Sequence, residues 1–297
     1  MEKRKTGLLV YVLLVFILTG AFAYGVIYPA ARAGKDVTVL LTVYMLFPTV
    51  AAVLARLISG EGFRDHALHF QFKGHIRHYL LAWLGPGLLV ILGAAVYFLF
   101  CPGRLDLSAG YLRQIMAESG IPYEAQAVPM GLLLAIQAVQ AVLLGGIVNL
   151  IPSLGEEWGW RGYMLPRLTE RMGRVPALLL GGVIWGLWHA PITAIGHNYG
   201  LGYPGFPWTG IAAMCVFCTA LGILLWWLTE KTDSVIPAAI AHGAINGAAG
   251  LGALFTADGG DPFVGPAPTG ILGGLPILIL AVLVLILDKP KKEPERE

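Results

Sequence analysis

The chain has 297 residues, of which 57% are hydrophobic and only 13% charged, with a mean hydropathy of +0.71. That balance excludes an ordinary soluble domain, a net charge of +2 gives no footing for a nucleic-acid partner, and three cysteines exclude a disulfide framework. The composition predicts an integral membrane protein of the all-α class, a polytopic helix bundle.

Apolar stretches of about 20 residues are long enough to cross the hydrocarbon core as helices. The sequence predicts eight, at 7–28, 37–55, 79–100, 130–151, 177–195, 210–228, 235–255 and 270–287. In the first, Ala21-Phe22-Ala23 resembles a signal cleavage site. Its apolar run exceeds the ~7–15 residues of a signal core, so a retained helix is expected. The 56–78 loop holds His66, His69, His75 and His78 among Phe63, Leu68, Phe70 and Phe72. It reads as a basic amphipathic element on the cytoplasmic leaflet, its aromatic side chains dipping into lipid. If helical, its histidine pairs, three apart, would also suit a metal. The stretch LSAGYLRQIMAESG, between the third and fourth segments, predicts a short amphipathic helix on the outer surface. His197 and Asn198 read as solvated loop residues, and Cys215 and Cys218 as packing residues in the sixth segment. Residues 288–297, DKPKKEPERE, read as a disordered cytoplasmic tail, leaving 1–287 as a single transmembrane domain.

Orientation follows from lysine and arginine. Lys3, Arg4 and Lys5 open the chain, and the loops predicted on the same side carry Arg56, Arg64, Lys73, Arg77, Arg161, Arg167, Arg171, Arg174 and Lys231. Lys289, Lys291, Lys292 and Arg296 close the tail, whereas the opposite loops hold only Arg32, Lys35, Arg104 and Arg113. Both termini are therefore expected in the cytoplasm of a cell-membrane protein.

Ionisable residues at membrane depth are expensive and mark function by default. Three spots qualify: Glu156, Glu157 and Arg161 in GEEWGWRG; His189 in WGLWHAP; and His242 with Asn246 in AHGAIN. Glu157 and Arg161 are four apart, share a helix face and can pair. Glu156 points about 100° away from its neighbour, so one carboxylate is free to act beside a structural ion pair. His242 and Asn246 share a face by the same spacing. Pro152 can bend or restart the helix before the glutamates. Measured along their segments, the three spots are expected to meet in the cytoplasmic half of the bundle as a water-activating hydrolytic site. Each also has a plainer reading: an interfacial salt-bridged turn, a packing histidine among tryptophans, and interhelical hydrogen-bond glue.

The order EExxxR, then an aromatic residue four before a histidine, then HxxxN resembles the type II CAAX prenyl endopeptidases and the wider CPBP (CAAX protease and bacteriocin-processing, or Abi) family of intramembrane proteases. Glu156 through Arg161 match the first motif and His242 through Asn246 the third; the second begins with Trp185 where phenylalanine is usual. The resemblance implies an endopeptidase in which Glu156 is the general base, His189 holds the water, and His242 with Asn246 steadies the oxyanion. Glu157 and Arg161 would orient the helix. The implied substrate is a peptide or lipidated protein, prenylated in one branch of the family, met among membrane lipids.

Glu156, His189 and His242 are also a ligand set of the catalytic zinc type, so the choice between a metalloprotease and a metal-free glutamate scheme stays open, with the asparagine leaning it toward the latter. Trp158, Trp160, Trp185 and Trp188 either line a slot for a lipid tail or pack and anchor the helices. A proton-coupled secondary transporter or a non-catalytic immunity protein on the same scaffold is the rival. Transporters commonly show matched repeats, whereas the ionisable residues here fall in the second half only.

Overall fold

The computed structural model describes residues 2–63, 67–121 and 128–288. These residues are mostly helical and form no strand, and the architecture is a polytopic helical bundle. Helix α1 (Glu2–Phe22) runs through a π turn into Tyr28–Arg32. It is followed by α2 (Thr38–Tyr44), α3 (Phe47–Ser59), α4 (Ile76–Phe100), α5 (Gly110–Glu118) and α6 (Met130–Val148). Then come α7 (Leu150–Gly159), a π turn at Trp160–Met164, α8 (Leu165–Met172), α9 (Arg174–Trp188), α10 (Trp208–Thr232), α11 (Ile236–Ala248) and α12 (Leu275–Leu287). Proline stands in the first turn of α3, α8, α11 and α12, where its fixed φ suits a helix start and its missing N–H costs nothing.

Six helical segments have the length and apolarity to cross a membrane: 4–32, 38–59, 76–100, 130–148, 208–232 and 236–255. With its apolar surface, this makes the chain an integral multi-pass membrane protein. The other two predicted segments form shorter apolar helices, α9 and α12. At about 1.5 Å per residue, each falls short of the roughly 30 Å hydrocarbon core. The fifth stops because the chain turns at His189 before Pro191, and residues 270–274 of the eighth form turns instead of helix. Leucine, isoleucine and valine are exposed along the outer faces, among them Leu13, Leu88, Ile91, Val216 and Ile279, as lipid-facing positions require.

Helix α11 occupies the centre and packs on α4, α6, α7 and α10. Small residues set these distances. A Cβ on Gly186 would stand 2.4 Å from the Cys215 Cα, so α9 and α10 touch almost backbone to backbone.

The structure corrects several expectations. Residues 150–172, expected mainly as a cytoplasmic loop, are a buried helical rod that restarts at Leu150, just before Pro152. Gly155 and Gly159 lay this rod on the main chain at 45–48, where a Cβ on Gly159 would come within 2.6 Å of Pro48. Arg56, Arg161 and Arg167, counted as loop charges, are buried. Arg161 pairs with Glu157, and Arg167 pairs with the buried Glu61. Residues 67–72 form no helix, although Phe63, Phe70 and Phe72 are exposed. His66 lies outside the described residues; His69 meets Gln71 at 3.3 Å, while His75 and His78 are ring neighbours at 5.7 Å with His78 buried against Trp227, and no third ligand joins them among the described residues. Asp288 is held by Lys231 and Arg174, so it belongs to the bundle, while 289–297 lie outside the described residues. The amphipathic helix predicted after the third segment is present as α5.

Candidate active site

Glu156 is buried on α7, and its Oε2 accepts two indole N–H bonds, from Trp185 on α9 at 2.7 Å and from Trp160 at 3.3 Å. Trp160 is four residues along the same rod, so it reaches back one turn. Trp185 comes across from α9. Oε1 has no protein hydrogen bond among the described residues and belongs to a side chain lining a cavity of about 440 Å³. His189, His242 and Asn246 line the same cavity. The four side chains assigned to chemistry from the sequence are thus brought to one space, although they come from three separate stretches of chain.

Each histidine is oriented from behind. His189 stands at the C-terminal cap of α9 and its Nδ1 donates to the Trp185 carbonyl at 2.9 Å. A carbonyl can only accept, so Nδ1 carries the proton and Nε2 is left to accept from the cavity. His242 Nδ1 donates to Glu157 Oε1 at 2.8 Å, and the same oxygen receives Arg161 Nη1 at 3.0 Å. Glu157 therefore does more than pair with Arg161: it joins the ion pair to a cavity-lining histidine. The Arg161 guanidinium lies 4.2 Å from the centre of the Trp185 ring, which closes the circuit. Asn246, one turn beyond His242 on α11, is exposed.

Neighbours that the sequence did not point to complete the walls. Tyr44 donates to the Trp188 carbonyl at 2.7 Å and packs on that indole, which in turn meets His189 edge-on at 4.7 Å. His197 and Asn198 are not solvated loop residues: both are half-buried and line this cavity. Burial pushes the His197 imidazole down to about 4, so the ring is neutral at physiological pH. Trp160 and Trp185 are engaged as donors to Glu156, so neither is free simply to line a lipid slot.

The cavity extends from Glu156 to the loops at 197–198 and 267–269. The opposite end of the bundle carries the ion pairs of Arg4 with Glu170 and of Arg174 with Asp288, which bring both ends of the described chain together. The site thus opens away from the end that holds the termini. The cause is that His189 caps the far end of α9, beyond fifteen residues that start from Arg174.

A family model described as type II CAAX prenyl endopeptidase Rce1-like matches residues 137–248. This segment runs from the middle of α6 to the end of α11 and contains Glu156, Glu157, Arg161, His189, His242 and Asn246. The chain is also similar to the CAAX prenyl protease 2 of Methanococcus maripaludis, with 29% identity over 162 residues, covering 51% of this chain and 53% of that protein. It thus spans about half the length of the curated relative it matches.

The zinc set considered from the sequence can be tested against the Rce1-like segment. Among the described residues, no three His, Cys, Asp or Glu side chains stand together in a way that could hold a metal ion. One oxygen of Glu156 is already committed to two indoles. Glu156, His189 and His242 do not fit a zinc ion in this arrangement, and no step below passes through one.

Proposed function

We propose that the chain is an intramembrane endopeptidase that uses Glu156 to activate water against a peptide bond. Its substrate would be a membrane-associated peptide of the prenylated CAAX kind. The observation that carries this reading is the carboxylate of Glu156, gripped on one oxygen by two indoles and open on the other to a cavity shared with His189, His242 and Asn246. The Rce1-like segment and the name of the relative supply the substrate class.

The chemistry follows from the donor and acceptor inventory. A water between Glu156 and His189 gives one hydrogen to Oε1 of the carboxylate and the other to Nε2 of His189, the acceptor left by the Nδ1 bond to Trp185. Its oxygen attacks the peptide carbonyl carbon as Glu156 takes the proton. The carbonyl π electrons move to oxygen, where the Asn246 amide and the second ring nitrogen of His242 meet the negative charge. For His242 to donate from both nitrogens its ring must be cationic, and Glu157 balances that charge at 2.8 Å. Collapse of the tetrahedral centre breaks the C–N bond, and Glu156 returns its proton to the departing amine. The indole bonds keep the carboxylate oriented without occupying the oxygen that moves the proton.

The test is a cleavage assay in detergent or reconstituted membranes with prenylated and plain peptides. Wild type is expected to cut, and Glu156→Ala is expected to be inactive while eluting as a folded protein. The same activity is expected to survive chelation. Loss on chelator treatment with recovery on zinc addition would replace the glutamate scheme with a metal one. A solute gradient dissipated without any peptide being cut would replace hydrolysis with transport.

A further inference from the structure

Among the residues lining the cavity of Glu156 are several polar ones that the mechanism above does not use. They include His197, Asn198, Thr38, Thr42 and Thr269. The loop that presents His197 and Asn198 is fixed at several points. The His197 amide donates to the Ile192 carbonyl at 3.0 Å, Gly200 N–H to Gly196 at 2.9 Å, and the Tyr199 hydroxyl to the Thr269 carbonyl at 3.0 Å. Asn198 holds a left-handed φ of 68°, which asparagine tolerates better than most residues, and its amide nitrogen approaches the Met214 sulfur at 3.5 Å. That leaves the Asn198 carbonyl oxygen uncommitted. The Thr42 hydroxyl donates to Thr38 O at 3.0 Å, so its lone pairs remain as acceptors. The His197 imidazole has no hydrogen-bond partner among the described residues.

A half-buried ring with two unused nitrogens, on a loop tied down on both sides, presents an uncommitted donor and acceptor to the cavity. The chemistry narrows the ligand. A neutral imidazole offers one donor and one acceptor, and Asn198 and Thr42, which line the same cavity, offer acceptors. Such a set suits the alternating N–H and C=O groups of an uncharged peptide main chain, and not an anion. We propose that His197, with Asn198 and Thr42, forms a subsite that binds the substrate's main chain and holds the scissile bond over Glu156. This rests on the endopeptidase reading and names the feature of the substrate that the site recognises. His197 is a positioning residue in this scheme: it touches the peptide but not the reacting atoms.

The experiment measures both turnover and binding. In the cleavage assay, His197→Ala is expected to raise KM about fivefold to tenfold, the value of one hydrogen bond, with kcat within about twofold. His197→Gln, which keeps a donor and an acceptor, is expected to recover most of the loss. In parallel, a fluorescent peptide is titrated by anisotropy into Glu156→Gln protein with and without His197→Ala. The binding arm separates the two ideas. If no peptide is cut but the fluorescent peptide binds and loses affinity by the same factor on His197→Ala, the hydrolase reading fails and the subsite stands. If cleavage proceeds with KM unchanged in His197→Ala, or kcat falls while KM stays fixed, the subsite is overturned and the endopeptidase reading stands. A Gln variant no better than Ala, in protein of unchanged thermal stability, would also overturn it.

Discussion

Two adjacent glutamates divide the labour because the helix turns about 100° between them. Glu157 faces Arg161 and His242 and is fully buried, whereas Glu156 faces the indoles and the cavity. Different outcomes are therefore expected on substitution. Trp185→Phe removes the shorter of the two donors to Glu156 while keeping the ring that covers Arg161. A hydrogen bond to a charged group is worth about 1.5–3 kcal/mol. On that scale kcat should drop by about ten- to a hundredfold in a protein of normal thermal stability. Trp160→Phe, whose bond is longer at 3.3 Å, should lose less. Arg161→Met removes one of the two cationic partners of the buried Glu157 and leaves it to His242 alone, at a cost of up to about 3–5 kcal/mol. Lower yield, a lower thermal midpoint and reduced turnover are expected together, and a stable Arg161→Met protein of full activity would contradict the role given to the pair.

At the scale of elements, the long helices were legible in the sequence and the buried rod at 150–172 was not. Continuous apolar runs such as Trp208–Thr232 announce themselves by length and hydropathy. The rod carries Glu156, Glu157, Arg161, Arg167 and Glu170, so its hydropathy resembles a loop; only its partners make it an interior helix. Glu61 is the clearest example, since nothing in its local sequence connects it to Arg167, which lies 106 positions away. That Glu156, His242 and Asn246 would share one space with His189 was legible because HxxxN and EExxxR carry helical spacing and His189 stands as an ionisable residue in an apolar run. The indole grip was partly so, since Trp160 is four residues after Glu156. Tyr44 and His197 gave no signal, because loop closure decides what they face. Two tests belong here. Glu61→Gln should destabilise the protein by removing the carboxylate that faces the buried Arg167 and leave kcat nearly unchanged, as seen by thermal unfolding beside turnover. Gly159→Leu should prevent the rod from resting on Pro48, reducing folded yield far more than Gly131→Leu, where a Cβ meets nothing.

Across the whole molecule, ion pairs collect at the end that holds Arg4, Glu170, Arg174 and Asp288, and the cavity extends to the other. With Arg56, Arg161 and Arg167 withdrawn into the interior, the remaining lysines and arginines still favour the end with the termini, so we propose that this end faces the cytoplasm. Cysteines placed at Leu201, an exposed position on the loop after Asn198, and Glu170 check it: an impermeant thiol reagent applied to intact cells should label the former and not the latter, and the reverse would invert the orientation. The most direct measurement of the central claim is turnover of a prenylated peptide by purified wild type and by Glu156→Gln, which keeps the volume and the indole contacts but cannot take a proton. A loss of at least about a hundredfold is predicted, with unchanged elution and thermal midpoint. Glu156→Gln protein that cuts the peptide at the wild-type rate would contradict the account.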